Sequence, residues 1–314
     1  MRASELDPEL RVVVDEIEAL GIPGWSDLSV SAARRVEDEL FSGEPEPPVA
    51  DVTDLGFDGP HGEIPVRVYR PEPAVESSDP VGSLVYFHGG GWTLGTLGSI
   101  DGPCRELATR AGVVVVSVDY RLAPEHPFPV AVDEAIAAVE WVAEVAARFG
   151  GDPDRVGVAG TSAGGTLAFA ATLGIREFDG PDLSGAFLLY PIAGHDFGTP
   201  SYRENADGPL LTRADMRWFF ERYLRSPTDA YNPFAVPLRA DEFGELPPTT
   251  VVTAGFDPLR DDGVELAERL DRDGTPVTHR HYPAMAHGFL SLTDRVSTAE
   301  EALEAVADDV RSAL

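Results

Sequence analysis

Gly160-Thr161-Ser162-Ala163-Gly164 places a serine among small residues, with glycine two before it and two after it. The β-rich run RVGVAG (155–160) leads into it, and a helical pattern over 162–176 follows. At such a strand–turn–helix junction the serine sits on a sharp turn, where strand and helix approach closely. Its Oγ then projects at the carboxyl end of the sheet, and the helix N-terminus adds a favourable dipole. A hydroxyl is a weak nucleophile that needs a base, and the base needs an orienting acid. Asp257 in GFDPL (255–259) follows the run TTVVTAG. His287 in MAHGF (285–289) follows PVTHRHYP (276–283). Both are therefore expected at strand carboxyl ends, on the same edge of the sheet as Ser162. The chain order Ser162, Asp257, His287 suits nucleophile, acid and base of acyl transfer. Among the competitors, Asp261 and Asp262 should lie on the next helix in solvated or capping roles, and Asp196 is the alternative acid. His279 and His281 alternate along a strand and read as packing or surface residues, and His126 reads as a loop residue.

Acyl transfer also needs donors aimed at the oxygen on which negative charge develops. FHGGGW (87–92) follows the apolar run Leu84-Val85-Tyr86-Phe87. Glycine allows backbone amides to turn inward without a Cβ collision. Gly89, Gly90 and Ala163, the residue after the serine, are the expected oxyanion donors. A dinucleotide fingerprint would need a further glycine at position 94, which is leucine, and a phosphate cradle is odd without lysine. His88 reads as a loop anchor rather than a second base. Gly91 serves loop shape, and Trp92 either walls the pocket or packs.

The elements that must position these residues follow from the apolar pattern. Two amphipathic helices are expected at 7–20 and 29–41, then a Pro-rich hinge, EPEPPVA (44–50). Extended stretches follow at 49–55 and 63–71. Apolar, β-rich runs recur at 82–89, 112–120, 155–160, 183–191, 248–255 and 276–283. Helical patterns lie between most of them, at 99–111, 130–149, 162–176 and 259–273, with another at 296–313. That alternation predicts an α/β fold with a mostly parallel sheet covered by helices on both faces. Residues 194–247, with the aromatic helix MRWFFERYL (216–224), are too long for a simple connection and read as a cap insertion. The expected division is 1–48 as a helical arm, 49–193 and 248–314 as the two parts of the core, and 194–247 as cap. Trp218, Phe219, Phe220 and Tyr223 either line a pocket or pack the cap onto the core.

Composition narrows the function classes. The 314 residues carry 54 acidic against 24 basic side chains, a net charge of −30, and every basic residue is arginine. The absence of lysine excludes a P-loop lysine and a Schiff-base lysine. The acidity argues against nucleic acid. It also suggests salt adaptation, because high salt screens self-repulsion; a GC-rich coding sequence is the other source of such a composition. One cysteine, Cys104, leaves no internal disulfide and no cysteine-rich metal site. No run approaches a membrane span. The acidic N-terminus lacks the pattern of a signal peptide, so the expectation is a cytoplasmic protein with no metal and no membrane insertion.

Taken together, His88-Gly89-Gly90-Gly91-Trp92, DYRLAPEHPFP (119–129), GTSAGG (160–165), DPLRDDG (257–263) and His287-Gly288-Phe289 resemble the hormone-sensitive-lipase-like esterases of the α/β-hydrolase fold. These motifs fall in family order across roughly 50–314. Thr161 marks the threonine-type branch, and Asp262 stands where glutamate is common. The resemblance implies hydrolysis of short- to medium-chain carboxylic esters through an acyl-enzyme, without a cofactor. It also implies that the N-terminal helices and the 194–247 insertion cap the site, and that homodimers through the last strand and helix are common. Amidase, lactonase or deacetylase chemistry on the same triad is the alternative, and a ligand-binding protein without catalysis is the rival of a different class. Relatives that became hormone receptors lost the histidine, which is present here as His287.

Overall fold

The apolar runs become the eight strands of one sheet. The structure is a computed structural model and describes residues 1–43, 46–77 and 79–314. Of the hinge expected at 44–50, Glu44 and Pro45 lie outside the described residues. The strands are β1 (Asp51–Gly59), β2 (Gly62–Arg70), β3 (Val81–Phe87), β4 (Val114–Val118), β5 (Gly151–Thr161), β6 (Gly185–Leu189), β7 (Thr249–Phe256) and β8 (Val277–Ala286). Their order is β1-β2-β4-β3-β5-β6-β7-β8. β1 and β2 pair antiparallel as a hairpin, and β2 pairs antiparallel with β4. Every pairing from β4 to β8 is parallel, so those six strands end on one edge.

The strand sequences explain the two covered faces. Val114, Val116 and Val118 of β4 face one apolar cluster, while Val115 faces the other. In β3, Val85 and Phe87 share the first cluster, and Leu84 and Tyr86 the second. This is the period-2 alternation of a sheet with a core on each side. Burying each such valine contributes roughly 1.5–3 kcal/mol relative to leaving it exposed.

Ten helices surround the sheet among the described residues. They are α1 (Pro8–Ala19), α2 (Val30–Phe41), α3 (Glu72–Glu76), α4 (Asp101–Ala111), α5 (Val130–Val145), α6 (Ala163–Glu177), α7 (Pro200–Glu204), α8 (Arg213–Tyr223), α9 (Arg260–Arg272) and α10 (Ser297–Ala313). α5, α6 and α9 contribute to the first cluster, and α1, α4 and α10 to the second. The helix expected at 130–149 instead stops at Val145 and tightens into a 3₁₀ turn, Ala146–Phe149. Strand β5 begins at Gly151, before the apolar run, because its first residue pairs with Val81 ahead of a register shift.

The N-terminal arm is tied down at both ends. Asp7 caps α1 through Glu9 N–H and Leu10 N–H, and Pro8 fills the first helical position, where no donor is needed. Ala3 N–H and Asp7 N–H donate to the Pro283 and Ala284 carbonyls of β8. On α2, the Arg34 guanidinium donates to the Thr93 and Ala123 carbonyls and to both oxygens of Glu125. No helix among the described residues is long and apolar enough to cross a membrane.

Candidate active site

Ser162 occupies the turn between β5 and α6 with φ 55° and ψ −117°, a conformation that costs of order 1–3 kcal/mol in an L-residue. Its surroundings hold it there. The Ser162 N–H donates to the Leu189 carbonyl at 2.9 Å, and its own carbonyl accepts from Thr166 and Ile192. The flanking glycines are required by contact. A Cβ on Gly160 would lie 2.2 Å from the Gly164 carbonyl oxygen, and one on Gly164 would lie 1.9 Å from that of Phe87.

The Ser162 hydroxyl lies 2.9 Å from His287 Nε2. His287 Nδ1 lies 2.8 Å from Asp257 Oδ2. The other Asp257 oxygen accepts the Leu259 N–H at 2.8 Å, and the carboxylate is 1% exposed. Both carboxylate oxygens are therefore committed, and the imidazole is presented to the serine through its second nitrogen. In this arrangement the serine proton can pass to His287 while the aspartate stabilises the imidazolium. Tyr190 packs edge-on against the imidazole, with 4.9 Å between ring centroids.

Gly89 lies beside this serine: a Cβ built on it would be 3.5 Å from Ser162 Cβ. Among the described residues, the Gly89 and Gly90 N–H groups have no backbone acceptor. The Ala163 N–H belongs to the first turn of α6, whose donors have no intrahelical partner. These free donors, together with the α6 dipole, suit an oxyanion.

The loop itself is anchored from behind. His88 Nδ1 donates to the Gly89 carbonyl at 2.8 Å, and its ring stacks on Tyr120 at 4.3 Å. The Tyr120 hydroxyl donates to the His88 carbonyl. Burial pushes the His88 pKa down to about 4, so the ring is neutral near pH 7. The unfolded chain, with a His pKa near 6.5, then binds more protons than the folded one between these values. Stability is accordingly full above pH 6.5 and falls as the pH drops toward 4, by about 3 kcal/mol at one pKa unit per 1.36 kcal/mol. Urea unfolding of wild type and His88→Gln from pH 8 to pH 4 is expected to show the two stabilities converging below pH 6.5. Parallel curves would contradict this.

A cavity of about 340 Å³ opens above the serine. Ile17, Ile22, Trp25, Leu40 and Phe41 of the N-terminal arm and Leu210, Leu211 and Phe219 of the insertion supply much of its apolar wall.

The fold, the edge shared by Ser162, Asp257 and His287, and the glycine loop point to one family. A profile of the alpha/beta hydrolase fold matches residues 84–291, more than half of the chain. The chain belongs to the α/β-hydrolase family. It is similar to the esterase LipI of Mycobacterium tuberculosis, 42% identical over 264 residues, covering 82% of this chain and 81% of the relative. It is also similar to the carboxylesterase NlhH of the same species, 40% identical over 306 residues, covering 95% and 93%. Among solved structures, an ester hydrolase from the metagenome of Lake Arreo, complexed with a bipyridine phosphonate derivative, superposes with a TM-score of 0.92. It is 38% identical and covers 98% of both chains. A hyperthermophilic esterase of Pyrobaculum calidifontis superposes at 0.91 with 35% identity, again over 98% of both.

Within this α/β-hydrolase frame, the structure decides between the alternatives left open for several residues and overturns the reading of Asp262. Trp92 does not wall the cavity. It is fully buried at φ 57° and stacks on Tyr223 at 3.9 Å. Gly91 lines the cavity, and a Cβ there would lie 2.1 Å from the Phe219 ring, so this glycine admits the insertion's aromatic as well as shaping the loop. Of the four insertion aromatics, Phe219 alone lines the cavity; Trp218, Phe220 and Tyr223 pack. Asp262 is neither solvated nor a cap. It is 3% exposed beneath the Gly194 N–H, and burial raises its pKa well above the usual carboxylate range. Asp261 accepts the Ser201 N–H, Asp196 accepts the Gly198 N–H in a turn, and His126 is exposed. His279 and His281 both reach the Thr253 hydroxyl.

The sequence reading missed the clamp on the acid loop. Asn205 Nδ2 donates to the Asp257 carbonyl at 3.0 Å, and the Ser201 hydroxyl donates to the Pro258 carbonyl at 2.7 Å. The buried Arg260 reaches Glu204 and Asp261 from the other side. No spacing rule links Ser201 or Asn205 to Asp257; the contact exists only because α7 folds back over the end of β7.

Proposed function

We propose that the chain is a serine carboxylesterase acting on short- to medium-chain esters. The observation that carries the reading is the unbroken hydrogen-bonded run from Ser162 Oγ through His287 to Asp257, beside the free donors of the glycine loop. In the proposed mechanism His287 Nε2 takes the Ser162 proton as Oγ attacks the ester carbonyl. The oxyanion is held by Gly89, Gly90 and Ala163, His287 protonates the departing alcohol, and the same base then activates water for deacylation. Asp257 fixes the tautomer and stabilises the imidazolium.

Residues 1–48 and 194–247 are assigned together as the cap over this site, the reading supported by their shared lining of the cavity. A cavity of about 340 Å³ suits a small ester and crowds a long acyl chain. In a p-nitrophenyl ester series, kcat/KM is expected to peak between about C4 and C8 and to fall at least tenfold by C16, because a chain longer than the pocket must crowd or displace its wall, a strain of roughly 1–3 kcal/mol. A maximum at C16 would contradict the cap reading. The same series in molar KCl tests salt adaptation, which the charge of −30 favours and which is expected to appear as retained or increased activity. A cytoplasmic enzyme and a homodimer through the sheet-edge strand β8 and α10 complete the proposal.

A further inference from the structure

Glycine has no Cβ to bias the peptide units on either side of it, so a run of three does not by itself aim its amides. In a trans peptide the carbonyl of one residue and the N–H of the next point to opposite sides of one plane. The peptides of this loop are trans. The Gly89 N–H is therefore aimed by whatever holds the His88 carbonyl, and the Gly90 N–H by whatever holds the Gly89 carbonyl. One side chain reaches both. The Tyr120 hydroxyl lies 2.9 Å from the His88 carbonyl oxygen and 3.3 Å from that of Gly89. Among the described residues the His88 carbonyl has no other donor, while the Gly89 carbonyl also accepts from His88 Nδ1. Further along, the carbonyls of Gly90, Gly91 and Trp92 accept from the Thr93 and Leu94 amides, the Thr93 hydroxyl and the Ala123 amide. Every carbonyl from His88 to Trp92 thus has a donor, whereas the Gly89 and Gly90 N–H groups have no backbone acceptor.

Tyr120 belongs to DYRLAPEHPFP (119–129), a run that no step of the mechanism above uses. The parallel register sets Val118 of β4 beside Phe87 of β3, so Tyr120, two residues on, comes level with the start of the loop. Its chain neighbours are pinned. The Asp119 N–H donates to the Pro65 carbonyl, and the Arg121 N–H donates to the Glu134 carboxylate at 2.7 Å. Tyr120 itself is 2% exposed, with its ring stacked on that of His88. Burial pushes its pKa well above the ordinary tyrosine value, so the hydroxyl keeps its proton and remains a donor.

Building on the esterase reading, we propose that Tyr120 is a positioning residue for the oxyanion hole. By holding the His88 and Gly89 carbonyls from behind, its hydroxyl aims the Gly89 and Gly90 N–H groups at the oxygen on which charge develops. Tyr120 touches neither the substrate nor Ser162, Asp257 or His287. Its effect is therefore confined to states that carry the oxyanion, the transition state and its analogues, and leaves the binding of an uncharged ligand of the same shape alone.

The test compares wild type with Tyr120→Phe, which keeps the ring and its stack on His88 and removes only the donor. Turnover of p-nitrophenyl butyrate is measured beside inhibition by two ketones. Trifluoromethyl pentyl ketone adds the serine oxygen and forms an oxyanion; methyl pentyl ketone has the same shape and binds without forming one. The variant is expected to lose about 10- to 100-fold in kcat/KM, the scale of misplaced or missing oxyanion donors. Its Ki for the trifluoromethyl ketone should rise by the same factor within about threefold, and its Ki for the methyl ketone should stay within about twofold. If the variant does not melt cooperatively, 4-fluorophenylalanine at position 120, which fills the hydroxyl's space without donating, is read in its place. A kcat/KM within about threefold of wild type overturns the assignment and leaves the esterase reading intact. Equal weakening of both ketones also overturns it, because a general disturbance of the pocket then explains the loss. Absence of turnover by wild type overturns the esterase reading, and this inference with it.

Discussion

Ser162→Ala loses ester hydrolysis by a factor on the order of 10⁶ in kcat and keeps its fold. Both halves of this expectation follow from the contacts at Ser162. The side chain makes one hydrogen bond among the described residues, to His287 Nε2 at 2.9 Å, and it lies beside the free N–H donors of Gly89 and Gly90, where an ester carbonyl can be attacked. The turn itself is held by backbone bonds to Leu189, Thr166 and Ile192, which alanine retains. The variant should therefore match wild type in circular dichroism and shift by no more than about 1 kcal/mol in denaturant unfolding. Residual turnover within tenfold of wild type, from a folded variant, would show that another group carries the chemistry.

Asp257→Asn is expected to cost about 10⁴ in kcat, on the pattern of a serine triad whose acid is amidated. The hydrogen-bond geometry explains why a nearly isosteric change is so damaging. Asp257 Oδ1 accepts the Leu259 N–H at 2.8 Å, and Oδ2 faces His287 Nδ1 at 2.8 Å. An asparagine keeps its carbonyl toward Leu259 and so turns its NH₂ toward the imidazole. His287 must then accept at Nδ1 and carry its proton on Nε2, where it cannot take the proton of Ser162. Asp262→Asn is the control. That side chain faces the Gly194 N–H rather than the imidazole, so a threefold change or less is expected on the same fold-change scale. Equal losses in the two variants, measured as kcat on one p-nitrophenyl ester, would contradict the assignment of the acid.

The chemistry was more legible in the sequence than its enclosure. Ser162, Asp257 and His287 each follow an apolar run, and six strands of that kind, β4 to β8 together with β3, lie parallel with their ends together. Strand periodicity plus a parallel arrangement is enough to bring them to one edge. The pocket obeys no such rule. Trp218, Phe219, Phe220 and Tyr223 share a helix and a composition, and only the tilt of α8 against the glycine loop decides that Phe219 meets the cavity while Tyr223 stacks on Trp92. The same holds for Asp261 and Asp262. Adjacent residues on α9 meet different surroundings, Asp261 the Ser201 N–H and Asp262 the buried interior, so sequence spacing could not assign the buried role. Glu37 lies in an amphipathic helix where a glutamate ordinarily marks the solvated face; its burial depends on Arg34 drawing α2 onto the Thr93 and Ala123 carbonyls.

The proposal that Ser162 is a nucleophile forming a covalent intermediate is tested most directly by mass spectrometry after treatment with an alkyl p-nitrophenyl phosphonate. Wild-type protein should release one equivalent of p-nitrophenol, lose activity in step, and gain one phosphonyl group on the peptide containing Ser162. Ser162→Ala should gain none. An enzyme that stays fully active with no adduct, or that carries its adduct on a different residue, would contradict it.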